Sequence, residues 1–124
     1  MQLSQENPDF TYVLRGASAG GVLVNQQLLE RSFLLSPNRL VEGWRPASAA
    51  DLLPEDMDAV LALQPSVVLL GTGPRQRFPS AAVMAAMLTR GVGMEVMDNA
   101  AAARTFNVLA TEGRTVVGAF LLPG

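Results

Sequence analysis

A chain of 124 residues with 49% apolar side chains and a net charge of −2 can build one well-filled core, and it contains no cysteine, histidine or lysine. Those absences remove thiolate and Ser–His nucleophiles, Schiff-base chemistry, the phosphate-loop lysine, and the ordinary zinc and copper sites. Residues 1–59 hold eight acids and four arginines and residues 60–124 three acids and five arginines, so neither half is basic enough to bind nucleic acid. No apolar run approaches the ~18 residues that span a bilayer, and the amino terminus lacks a basic patch and apolar block. The expectation is a soluble cytoplasmic protein without a transmembrane segment.

Residues 1–9 are polar, end in Asn7-Pro8-Asp9 and read as a flexible tail, leaving 10–124 as a single α/β domain. Alternation of Phe10, Tyr12 and Leu14 with Thr11, Val13 and Arg15 predicts a strand. Residues 16–20 form a turn-rich link to a hairpin partner at 21–25. A third strand is expected over 31–36, closed by Pro37-Asn38, and a weaker fourth over 40–45, broken by Gly43 and carrying the sole tryptophan, Trp44. These strands make an N-terminal β-meander.

The period then changes. Ser48 with Asp51 has the spacing of a capping box, so a turn is expected at 48–53 and, after Pro54, a helix at about 55–63. Leu53, Met57, Val60 and Leu61 share its apolar face, and Glu55, Asp56 and Asp58 lie near its positive end. Val67-Val68-Leu69-Leu70 is a strand buried on both faces, running into Gly71-Thr72-Gly73 and a loop with Arg75 and Arg77. Ser80 caps a helix over 81–90, with Val83, Met84, Met87 and Leu88 as its bulk and Gly91 as terminator. A strand over 93–97, a helix over 100–112 capped by Asp98-Asn99, and a last strand over 115–122 complete the chain. Phe106, Leu109, Ala110, Ala102 and Ala103 make the third helix's buried face. A meander followed by αβαβαβ predicts an α/β fold with a mixed central sheet in three layers.

Gly71-Thr72-Gly73 behind an apolar strand, the run Met97-Asp98-Asn99-Ala100-Ala101-Ala102-Ala103-Arg104-Thr105-Phe106-Asn107, and the Glu112-Gly113-Arg114 turn carry a family resemblance. Tyr12 and Trp44 fit it as well, over about residues 10–122. The chain resembles the family of the mitochondrial NADH–ubiquinone oxidoreductase (complex I) assembly factor three and its bacterial and archaeal relatives. That family commonly has Thr where this chain has Asn99, Cys where it has Ala103 and Tyr where it has Phe106; the alanine leaves no thiol role at that helix. The resemblance implies a three-layer α/β fold and, in the mitochondrial member, non-enzymatic help in assembling a respiratory complex. It implies no catalytic residue.

Two candidate sites follow. If strands 67–70 and 93–97 are parallel, Gly71, Thr72, Gly73, Arg75, Arg77, Ser80, Asp98 and Asn99 gather on one rim, where guanidinium groups and helix starts favour an anion. The competing interpretation makes Arg75 and Arg77 solvated loop residues, or partners of Asp98. On the third helix Arg104, Asn107 and Thr111 share a polar stripe, either as a partner-docking face or as a structural network. In the structural case Asn107 bonds neighbouring backbone and Arg104 pairs with Glu112 or Asp98. Asp98, Glu95 and Glu112 are the available acid–base groups, with nothing to place two together. Trp44, Phe33 and the meander's second face offer more apolar surface than one small sheet needs, covered either by helix 55–63 or by a second copy in a homodimer.

The expected function is therefore a non-enzymatic protein-interaction or assembly-type factor whose partners are other proteins, with no cofactor, metal or catalytic residues. The alternative is a small-anion or nucleotide-binding domain using residues 71–80.

Overall fold

Three short strands lie apart from the main sheet at the start of the computed structural model, which describes residues 11–123. They are β1 (Leu14–Ser18), β2 (Gly21–Val24) and β3 (Gln27–Leu29), antiparallel in that order. The tail expected over 1–9, and Phe10, lie outside the described residues. The first strand differs from expectation: it runs through Gly16, Ala17 and Ser18, and only Ala19 and Gly20 turn. A register shift between Leu14 and Gly16 absorbs Arg15 as a bulge, which a glycine beside it accommodates. Asn25, at φ 52, folds the chain back into β3, which was not expected. Asparagine tolerates this left-handed conformation, and a three-residue strand is too short to show alternation.

The meander divides here between two sheets. In β4 (Arg31–Ser36) residues Ser32, Phe33, Leu34 and Leu35 are all buried, so the strand needs a covering layer on each face. It joins β5 (Arg39–Glu42), β6 (Val67–Gly71), β7 (Gly93–Met97) and β8 (Val116–Pro123) in a five-stranded sheet ordered β5-β4-β8-β6-β7. β6 is parallel to both β7 and β8, whereas β4 is antiparallel to β5 and β8, so the sheet is mixed. Trp44, expected inside a strand, sits beyond β5 because Gly43 takes φ 76.

The helices are α1 (Met57–Leu61), α2 (Ala81–Leu88) and α3 (Asn99–Thr111). The chain steps outward from β6 to β7 through α2, then back across β6 to β8 through α3. Right-handed crossovers in opposite directions place the two helices on opposite faces. Accordingly, Val83 and Met87 pack with Leu34, Val68, Leu70, Met57, Val60 and Trp44. Ala102, Phe106 and Ala110 pack with Phe33, Leu69, Phe120 and the small sheet's Leu14, Val22 and Val24. Phe33 and Phe120 stack with centroids 5.0 Å apart. This is a three-layer α/β fold: α1 and α2, the five strands, then α3 with the small sheet.

Local departures have local causes. The helix expected over 55–63 is a 3-10 turn at Pro54–Asp56 followed by α1, ended where Gln64 takes φ 56. Leu53, assigned to the apolar face, is half exposed because it precedes that turn. Helix α2 stops two residues early: Gly91, at φ 71, donates to the Leu88 carbonyl, and Leu88 is left 75% exposed. Trp44 is buried under α1, its Nε1–H donating to the Asp56 carbonyl at 3.1 Å. No helix among the described residues is long and apolar enough to cross a membrane.

Candidate functional site

β6 and β7 are adjacent and parallel, and the loops leaving their carboxyl ends go to opposite faces of the sheet. Such a switch point opens a crevice in which α/β sheets commonly hold ligands. Here the chain closes the crevice with its own side chains. Gly71 ends β6 against α3, where an added Cβ would collide with the Asn99 Oδ1 and crowd Phe120 and Ala102. Asn99, 2% exposed, uses its whole amide: Oδ1 accepts the Gly73 N–H at 3.1 Å, and Nδ2 donates to the Leu121 carbonyl at 3.1 Å. Its own N–H donates to the Gly73 carbonyl at 2.8 Å. One asparagine thus ties the β6 loop, the end of β8 and the start of α3.

Thr72 latches the rest of the loop. Its N–H donates to the Met97 carbonyl at 2.9 Å, and its hydroxyl donates to the Arg75 carbonyl at 2.6 Å while accepting the Arg77 N–H at 2.9 Å. Gln76 reaches sideways, Nε2 donating to the Val96 carbonyl at 2.8 Å. Asp98 accepts the Ala101 N–H at 2.8 Å as the α3 cap. Ser80 caps α2 through the Val83 N–H at 3.3 Å, and no hydrogen bond among the described residues links it to Asn99. Of the eight rim residues, then, 71–73 and 98–99 form one bonded cluster. Arg75 and Arg77 are exposed and make no ion pair among the described residues, with Asp98 or any other acid. A cavity of about 220 Å³ opens beside Gly73, Pro74, Asp98 and Asn99, under the Ala17–Ala19 hairpin tip. No buried side-chain N or O among the described residues lacks a partner, so none is left aimed into it.

The α3 stripe separates in a similar way. Asn107 binds across layers, Oδ1 accepting the Leu14 N–H at 2.9 Å and Nδ2 donating to the Leu14 carbonyl at 2.6 Å, so the small sheet hangs from α3 by this residue. Its partner is 93 positions away and not the neighbouring backbone. Thr111 donates to the Asn107 carbonyl, and Arg104 is exposed and in no ion pair among the described residues. Asp98 and Glu112 stand at opposite ends of a 13-residue helix, roughly 20 Å apart, so they form no acid–base pair.

A second polar cluster was not anticipated. Arg45 holds Asp56 in a fork, Nε to Oδ1 at 2.9 Å and Nη2 to Oδ2 at 2.6 Å, and reaches Asp51 Oδ1 with Nη1 at 3.0 Å. The Ala47 N–H and then Arg45 hold the Asp51 carboxyl below its ordinary value. Arg45 does the same for Asp56, with the Leu53 N–H adding to it and burial opposing. The Arg45 guanidinium is correspondingly raised. The cluster pins the link between β5 and α1; Ser48 and Asp51 were legible as a cap, but Arg45 pairs six and eleven positions on, outside any local motif.

The layer order and strand directions define a small α/β protein with a mixed five-stranded sheet in three layers. A Mth938-like domain from Bordetella pertussis superposes with a TM-score of 0.77 at 29% identity, over 91% of this chain and 87% of that one. The chain belongs to the family described as "Protein of unknown function (DUF498/DUF598)", whose profile matches residues 14–121. A protein of Xanthomonas campestris solved by NMR is 58% identical, with a TM-score of 0.85 over 100% of this chain and 94% of that chain. The bovine protein named NADH dehydrogenase [ubiquinone] 1 alpha subcomplex assembly factor 3 is 35% identical over 98% of this chain. The chain spans 65% of that relative's length.

Proposed function

We propose that this protein is a non-enzymatic binding factor that holds other proteins during assembly of a larger complex. The observation that carries it is the use of the rim's polar groups: Thr72, Gly73, Asp98 and Asn99 are bonded to one another or to backbone. What the rim offers to solvent is a latched loop bearing Arg75, Arg77 and Phe78, the last 68% exposed. Arginine and aromatic side chains on a rigid support are the usual anchors of protein interfaces. Similarity to assembly factor 3 from cattle and mouse supports an assembly role.

A second reading keeps a small anion or nucleotide on the same loop, favoured by two guanidinium groups without ion pairs. The test is purification of the tagged chain at native abundance, with a photo-reactive amino acid in place of Phe78. A stoichiometric protein adduct supports the first reading. A free monomer with no adduct, stabilised by phosphate or nucleotides in a thermal-shift panel, overturns it for the second.

A further inference from the structure

β7 is the outer strand of the five-stranded sheet, and among the described residues one of its edges has no neighbouring strand. The Met97 carbonyl turns inward to accept the Thr72 N–H. By alternation, Met94 and Val96 turn their N–H and C=O groups outward. The Val96 carbonyl is taken by Gln76 Nε2, a side-chain amide standing where the N–H of another strand would stand. Among the described residues nothing takes the outward groups of Met94. Arg75 and Arg77 flank Gln76 in the chain, both exposed, and Phe78 follows.

We propose that the open edge of β7 takes an extended, acidic segment of a partner protein as a sixth strand. Its main chain pairs with Met94 and with the Val96 N–H, beside the carbonyl that Gln76 holds, its carboxylates meet Arg75 and Arg77, and an apolar side chain rests on Phe78. In the register that joins both outward residues, the charge pattern favours this occupant over a second copy. A two-fold antiparallel pairing that bonds Met94 to Val96 of the other copy sets Glu95 directly against Glu95, and like charges in that position repel. It also brings Arg75 and Arg77 towards Arg90, three residues before the other copy's strand. A strand that sets an uncharged residue opposite Glu95 and keeps its carboxylates for the Arg75–Arg77 loop has neither conflict.

The proposal rests on the protein-binding role above and deepens it. The probe is a displayed library of random 12-residue peptides, selected against the full chain. Enriched peptides should alternate apolar and acidic residues and shift the Met94 and Val96 amide resonances. Their affinity should fall at least tenfold with Arg75→Glu/Arg77→Glu, and similarly when alternate peptide amides are N-methylated. Peptides indifferent to charge reversal, peptides that map elsewhere, or no enrichment would overturn it. So would a concentration-dependent dimer strengthened by Glu95→Gln, which assigns the edge to a second copy. Both arginines are exposed, so the reversed variant should fold, as Trp44 fluorescence will show. If that variant keeps the native partner, this inference falls and the binding role stands; if the wild-type chain has no protein partner, the role itself falls.

Discussion

Replacing Asn99 with alanine tests whether the rim is held by one side chain. The substitution strips hydrogen-bond partners from the Gly73 N–H and the Leu121 carbonyl, both buried where β6, β8 and α3 meet. Each orphaned group costs about 1–3 kcal/mol, and alanine returns roughly 0.5 kcal/mol of helix propensity. The main-chain bond from residue 99 to the Gly73 carbonyl survives. The net loss is therefore about 1.5–5.5 kcal/mol, against a typical domain stability of about 5–15 kcal/mol, so the variant folds over most of that range. For a chain of this length that is a fall in Tm of about 5–20 °C. Urea unfolding followed by Trp44 fluorescence measures it: Trp44 is 8% exposed and lies in the opposite layer, so it reports global unfolding. The urea dependence should keep its slope while the midpoint moves. Asn99→Asp keeps the acceptor but turns a buried carboxylate towards the Leu121 carbonyl. It should be worse than alanine at neutral pH and recover as the pH falls. A loss below about 0.5 kcal/mol for Asn99→Ala would refute the account, since two buried groups cannot be orphaned so cheaply.

Thr72→Val keeps the shape and removes the hydroxyl, so stability should drop by about 1–2 kcal/mol while the Arg77 amide exchanges faster with solvent. Asn107→Ala should loosen the small sheet on α3, with Leu14, Val22 and Val24 still packed there. Hydrogen exchange will show it as lost protection at Leu14 and along β1–β3, with the β6–β8 amides little changed. The Asp51 and Asp56 carboxyls are lowered from an ordinary value of 3.8, so their contribution is complete above that value and is lost as the pH falls below it. Arg45→Gln should flatten this acid limb in pH-dependent unfolding, and salt should weaken the limb in the parent, because Arg45 and Asp51 are about half exposed.

What could be read from the chain was whatever neighbours in sequence decide. The apolar run at 67–70, the Ser80 and Asp98 caps and the Gly91 terminator each signal within five residues, and the parallel strands with their opposed helices follow from the crossover rule. The split of the meander between two sheets follows from β4 pairing with β8, more than 80 residues later, between layers that cover both its faces. Gly71-Thr72-Gly73 shows the limit most clearly. A glycine turn after a buried strand looks the same whether its amides cradle a ligand or a helix start, and the deciding residue, Asn99, comes 26 positions after Gly73. Once placed, it turns the motif that carries the family resemblance into architecture: Gly71 is small because Asn99 needs the room, and Thr72 binds the loop it begins. A loop held this firmly has little freedom to close on a small molecule but loses little entropy on meeting a rigid partner. On the proposed binding role, the binding energy comes from Arg75, Arg77 and Phe78, the side chains that the latch leaves outside.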